Sequence, residues 1–218
     1  IIETTVGRVK FNHTIRRAIA RELPEAILSY RNDCFDKKKV EQLVKECYVN
    51  YGSAITAQIA DEIKRLGFKY ATIAGISIGL DDMIIPKAKK EIVTKAEAEI
   101  EQLEKMQRSG TISAKEQFIK ALDIWSEVTA NVTQALLDEF DKLNSVYLMA
   151  FSGARGSIQQ VRQLSGIRGL MADPSGNIIS IPIKTNFKEG LSVTEYFISC
   201  YGARKGLVDT ALRTADSG

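Results

Sequence analysis

"PKAKKEIVTKAEAEIEQLEKMQRSGTISAKEQFIKALDIWSEVTANVTQALLDEF", residues 86–140, is the stretch whose reading decides the fold. Pro86 opens it as a first-turn proline, where the missing amide costs a helix nothing. Ile92, Ala96, Ile100 and Leu103 then recur at three- and four-residue spacing, flanked by Glu and Lys at nearly every other site. "RSGTIS", 108–113, interrupts the pattern as a turn. Phe118, Leu122, Trp125, Val132 and Leu136 follow along one side of a second helix. Helices of about 20 residues each extend roughly 30 Å. Narrow stripes on two such neighbours predict a protruding antiparallel coiled-coil hairpin, with two helices of a globular bundle as the competing arrangement.

Upstream, residues 1–11 alternate weakly and suggest a strand, and 12–35 carry no clear pattern. From Asp36, placed as an N-cap, Val40, Leu43, Val44 and Cys47 fall on one helical face. "NYGS" breaks that helix. Ser53 caps a second whose face is Ile55, Ile59, Ile63 and Leu66, with Gly67 at its C-terminal end, so the two make a compact α-hairpin. "YATIAGISIGLDDMII", 70–85, is rich in β-branched and small residues and reads as extended chain or short strands. Downstream of Asn144 the texture turns glycine-rich. "DPSGN", 173–177, is a turn and "IISIPI" a short strand beyond it. A last long helix starts at Ser192, with Glu195 in capping-box position. The fold class is therefore mainly α with short β segments: helical hairpins, a Gly-rich loop region and a long C-terminal helix.

The totals exclude more than they assign. The 218 residues carry a net charge of +3, too small to argue for nucleic acid without local clustering. Three cysteines without CxxC spacing read as buried or reduced thiols, fitting a reducing compartment. No secretory signal and no membrane-length apolar run is present. A single histidine, His13, rules against a histidine triad or a zinc site within the chain. Asp81-Asp82 reads as capping and solvation rather than a metal site. The chain opens without methionine in what reads as a strand already under way, as a piece of something longer does.

Three stretches share one grammar: Gly153-Ala-Arg155-Gly156, Gly166-Ile-Arg168-Gly169 and Gly202-Ala-Arg204-Lys205-Gly206. Glycine on each side of a cation lets backbone approach a partner while the guanidinium reaches a phosphate. Acidic residues are nearly absent from 145–172. The bland reading is tight turns whose arginines point to water. None of the three is a Walker loop or a GxGxxG. The residues point to a phosphate- or nucleic-acid-facing surface with no complete catalytic constellation.

"SGARGSIQQVRQLSGIRGLMADPSG", "NFKEGLSVTEYFIS" and "GARKGLVDTALRTADSG" resemble the largest catalytic subunit, β′, of multisubunit bacterial-type DNA-directed RNA polymerase. "TTVGRVKFN", "AGISIGLDDMIIP" and "ALDIWSEVTANVTQALLDEF" resemble the same subunit in the same order. "ISCYGARKG" is most similar to cyanobacterial and plastid versions, in which β′ is divided. The resemblance implies that residues 1–85 belong to the funnel. It makes 86–140 the rim helices of the secondary channel, with a factor-docking tip at Arg108, Ser109 and Gly110. Residues 141–190 become the loop and small strands beside the active centre. Residues 191–218 become the start of the bridge helix.

On that resemblance Arg155, Arg168, Arg204, Lys205, Arg213, Thr214 and Ala215 face nucleic acid or nucleotide. Asp209, four residues from both Lys205 and Arg213, is expected to pair with them. The implied partners are the β and α subunits, the remainder of β′, template DNA and the RNA–DNA hybrid, nucleoside triphosphates, and elongation or cleavage factors, with no membrane. The implied cofactor is Mg2+ for the whole enzyme, not held by this chain, since the family's NADFDGD motif is absent. The trigger loop is also absent, so the chain alone is expected to be inactive. The implied location is the bacterial cytoplasm or the plastid stroma. From another class stands a non-catalytic helical docking module, in which the glycine-rich region only supports the hairpin. An autonomous phosphotransferase lacks a visible metal cluster or general base.

Overall fold

The computed structural model describes residues 1–25, 29–173 and 175–218. These carry seven α-helices: α1 (Val6–Ala20), α2 (Lys37–Ala74), α3 (Lys89–Arg108), α4 (Ala114–Glu139), α5 (Ser145–Ser152), α6 (Ile158–Ser165) and α7 (Val193–Ser217). Extended pairing among the described residues is confined to two isolated antiparallel bridges, Gly169 with Ile183 and Ala172 with Ile178. The fold is mainly α. Pro174 of the expected turn lies outside the described residues. Asp173 N donates to Asn177 O at 2.8 Å, and the Asp173 carboxylate accepts from Asn177 N. "IISIPI" supplies one bridge residue at each end rather than a strand, because its neighbour is an irregular loop.

The chain divides into two compact units, 1–78 with 148–155, and 79–147 with 156–218. In the first, the expected opening strand is a helix. Thr5 caps α1, its hydroxyl accepting from Arg8 N. Phe11, Ile15, Ala18 and Ile19 fall at helical spacing, and the last three are buried against Leu43, Cys47, Ile55 and Ile59 of α2. Asn12, also buried, bridges α1 to the next segment by accepting from Arg31 N at 2.8 Å and donating to Arg31 O at 2.7 Å. Weak alternation in the first eleven residues was a poorer guide than this longer stripe.

Asp36 caps α2 as expected. Gly52, at φ +76°, breaks α2 into two helical halves, and buried residues of both, Leu43 and Cys47 from the first and Ile55 and Ile59 from the second, pack with α1 in one core. Gly67 does not end the helix, since its backbone is helical and a side chain there would meet nothing within 4 Å. The end comes at Gly75, in the left-handed region at φ +56°. Residues 70–74 are therefore helical, and 76–86 are irregular rather than strand.

In the second unit α3 and α4 form the predicted antiparallel hairpin, capped at Ser113. The first helix starts three residues later than its proline, whose carbonyl accepts from Lys89 N at 3.1 Å. Ala96 packs with Trp125, Val128 and Val132, with Ile92 and Ile100 at the margin. Trp125 is 4% exposed. At the base of the hairpin Ile167 joins this cluster, so the glycine-rich segment is part of the core.

Candidate nucleic-acid interface

Among the described residues, the buried part of the final helix lies at one end. Ser192 and Glu195 form the expected reciprocal capping box. The Glu195 carboxylate does more than cap, because it also accepts from Lys184 N at 3.1 Å, Thr185 N at 3.4 Å and Thr185 Oγ1 at 3.1 Å. Burial pushes this carboxyl group up, and the hydrogen bonds from Ser192 and Thr185 outweigh it, leaving its pKa below the ordinary value. The preceding loop is tied down in turn. Asn186, fully buried, donates from Nδ2 to Ser165 O and Gly166 O, each at 3.0 Å. Glu189 pairs with Lys89, whose ammonium is nearly buried, and Lys188 Nζ donates to Met83 O at 2.7 Å. "TNFKEGLS" is thus a clamp that joins the start of α7 to α6 and to the hairpin. Sequence reasoning identified the cap and missed the clamp, whose partners lie about 20 to 100 residues away.

Past the clamp, α7 loses its support. Ile198 and Ser199 are its last buried residues. Leu207 and Leu212 are 75% and 58% exposed, and Val208 is exposed beside them. Arg204, Lys205, Arg213, Thr214 and Ala215 are all exposed on this free part. Thr214 Oγ1 is already used, donating to Thr210 O at 2.8 Å. The expected ion pairs are absent: among the described residues Asp209 contacts neither Lys205 nor Arg213 within ion-pair range. Exposed side chains on one helix face gain little from pairing and lose rotamer freedom, so the cations stay unneutralised.

The glycine-bracketed arginines do not behave alike. Within the chain, the glycines around Arg168 approach helices α4 and α6 closely. A Cβ on Gly169, at φ +85°, would lie 3.0 Å from Thr129 Oγ1, and one on Gly166 would lie 2.9 Å from Arg162 O. Arg168 itself is half-buried, its guanidinium 4.9 Å from the Phe187 ring centroid. Its Nε and Nη1 find no hydrogen-bond partner, and burial pushes its pKa down. In the third stretch Gly202 admits the Met171 methyl, which would lie 3.4 Å from a Cβ, while Gly206 faces open space. Arg155, in the first unit, is exposed. Beside it Gly153 (φ +74°) takes a turn against the Lys37 side chain. Arg155 belongs to one compact unit, and Arg168 and α7 to the other.

At the hairpin tip Gly110 turns the chain at φ +75°. Ser109 Oγ donates to Met106 O at 2.9 Å, and Arg108 pairs with Glu104. Asp82 closes a local turn, its carboxylate accepting from Gly79 N at 2.8 Å. The residues present do not fit a magnesium site: among the described residues no three His, Cys, Asp or Glu side chains converge. Nor is any described helix long and apolar enough to cross a membrane.

Comparison with known proteins covers the whole chain. Residues 1–83 match RNA polymerase Rpb1, domain 3, residues 93–188 match domain 4, and residues 190–218 match domain 5. The chain is 55% identical over 217 residues to the DNA-directed RNA polymerase subunit beta' of Desulforamulus reducens. It is 54% identical to that of Pelotomaculum thermopropionicum, also over 217 residues. It is 47% identical over 222 residues to that of Clostridioides difficile. The first two alignments take in 100% of this chain and 18% of the relative, so it spans under a fifth of the length of the curated relatives it matches.

Proposed function

The chain belongs to the RNA polymerase β′ family, and on that premise we propose that it supplies the channel wall and a crossing helix to the active centre of a DNA-directed RNA polymerase. In this reading residues 1–85 build the funnel, 86–140 the rim of the secondary channel, 141–190 the loop beside the active centre and 191–218 the start of the bridge helix. The observation that carries it is α7: clamped at Glu195 and Asn186, then bare, with Leu207, Val208 and Leu212 exposed beside unpaired Arg204, Lys205 and Arg213. Such a helix gains its packing only within a larger assembly.

The residues of this chain then act by position and charge. The α7 cations neutralise phosphates of template and hybrid, while Thr214 and Ala215 present a low surface to the nascent base pair. Arg155 serves the nucleotide. Magnesium ions supply the Lewis acidity of nucleotidyl transfer and are held by carboxylates outside this chain. The other polymerase subunits, nucleoside triphosphates and channel factors are the partners this role requires. In a reconstituted polymerase, Ala215→Leu should slow nucleotide addition strongly and Lys105→Ala of the hairpin should not. Unchanged elongation speed and fidelity in Ala215→Leu would instead favour the docking-module reading, which the charged outer faces of α3 and α4 support.

A further inference from the structure

We propose that the cleft between α1 and the second half of α2 is a docking site for an acidic, partly apolar polypeptide segment from another part of the assembled polymerase. The two helices run antiparallel. Lys10 Nζ donates to the Tyr70 hydroxyl at 2.8 Å at one end, and Arg17 meets Glu62 at 3.4 Å at the other. Between them opens a cavity of about 340 Å³ whose lining includes Lys10, His13, Arg17, Arg65 and Lys69.

Among the described residues only one carboxylate lines it. Glu62 is 7% exposed and is shared by Arg17, Arg21 and Arg65 at 3.2 to 3.4 Å. One negative charge among three guanidiniums leaves most of their N–H groups unused. Lys69 pairs with no carboxylate among the described residues. The cleft therefore carries a fixed excess of positive charge.

The margins decide what kind of anion fits. Leu66, Lys69, Tyr70 and Ile73 share one face of α2, and Ile73 is 68% exposed. Val6, Lys10, His13 and Arg17 share one face of α1, and Val6 is 72% exposed. Extending the antiparallel register set by Lys10–Tyr70 and Arg17–Glu62 brings Val6 and Ile73 to the same end of the cleft. A phosphodiester strand would satisfy the cations and leave these two side chains wet. A polypeptide carrying Asp or Glu next to an apolar residue covers both, in the pattern of an interface with an apolar centre and a charged rim. Curated relatives carry more than four-fifths of their length outside the stretch this chain matches, as a source for it.

The test is zero-length carbodiimide crosslinking of core polymerase assembled with full-length β′, followed by peptide mass spectrometry. The reagent joins an amine to a carboxylate only where the two touch. We expect Lys10 or Lys69 joined to an Asp or Glu beyond residues 1–78, within an acidic stretch, and Lys69→Arg should abolish the Lys69 product alone. Products confined to Glu62, or none at either lysine while the Lys45–Glu41 pair reacts, would overturn the proposal. So would protection of Lys10 and Lys69 from acetylation that appears only when an RNA–DNA hybrid is added, which would make nucleic acid the occupant. Elongation defects in Ala215→Leu bear on α7 alone, so either reading can fail without the other.

Discussion

Asn186 and Ser165, neither with any exposed surface, are joined by a 3.0 Å hydrogen bond from the Asn186 amide to the Ser165 carbonyl. The same amide nitrogen serves Gly166 O, and the Asn186 side-chain oxygen accepts from Glu189 N at 2.8 Å. One side chain thus satisfies the end of α6 and shapes the loop that launches α7. Asn186→Leu would leave two buried carbonyls and one amide without partners, at about 1–3 kcal/mol for each unsatisfied group. Denaturant unfolding should show a loss of at least about 2 kcal/mol. A loss below about 0.5 kcal/mol would mean that water reaches these groups.

The hairpin rests on Trp125. It packs with Ala96 and Val128, and Lys184 Nζ sits 5.6 Å from its ring centroid. Trp125→Ala should cost about 3–5 kcal/mol, as for other buried aromatics. Circular dichroism at increasing urea gives the number. Retention of full stability would mean that α3 and α4 are held by their ends.

Two glycines should respond in opposite directions to the same substitution. Gly169→Ala places a methyl 3.0 Å from Thr129 Oγ1, which cannot easily swing away because it donates to Trp125 O at 2.7 Å. The positive φ adds backbone strain, so destabilisation of at least about 1 kcal/mol is expected. Gly206→Ala meets nothing within 4 Å and replaces a helix-interior glycine, so α7 should gain about 0.5–1 kcal/mol of helical stability. Thermal melts of the two variants shifting in the same direction would refute this.

What was legible in the sequence follows the range of the interactions involved. The Ser192–Glu195 box, the Asp36 cap and the stripe through Ala96 and Trp125 are local or periodic, and each was readable. The helix at Val6–Ala20 was not, since its first turn alternates weakly and Asn12 is secured by Arg31, 19 residues away. Gly67 and Gly75 look alike on paper, and only Gly75 takes the left-handed conformation. The glycines around Arg168 were noticed for close approach, and within the chain the approaching atoms belong to Thr129 and Arg162. The resemblance supplied a role for α7; the residues alone gave its cap and its bare cations.

Acid should loosen the root of α7 before the rest. The Glu195 pKa is depressed in the folded chain, so its contribution is fully present above the ordinary carboxyl value of 4.5 and is lost as pH falls through the lower folded value. Glu195→Gln cannot titrate and cannot accept with both atoms, so it should be less stable at neutral pH and flatter below pH 4.5. Stability measured against pH for the two proteins should therefore converge on acidification. Parallel curves would assign the acid sensitivity to other carboxylates.

Arg168 separates what the fold needs from what a partner needs. Its guanidinium lies over Phe187 with Nε and Nη1 unpaired, a desolvated charge that adds little to folding. Replacing a poorly compensated charge by an apolar side chain of similar length is often neutral or stabilising. Arg168→Met keeps contact with the Phe187 ring and removes the charge, so chemical denaturation should show a change of no more than about 1 kcal/mol in either direction. In assembled polymerase the same variant should slow nucleotide addition, if the unpaired N–H groups are held for a phosphate. Arg168→Lys restores charge without the planar fork and should recover only part of the rate. A variant that elongates normally but unfolds easily would make Arg168 a packing residue, and its unpaired nitrogens would have no role in the reaction.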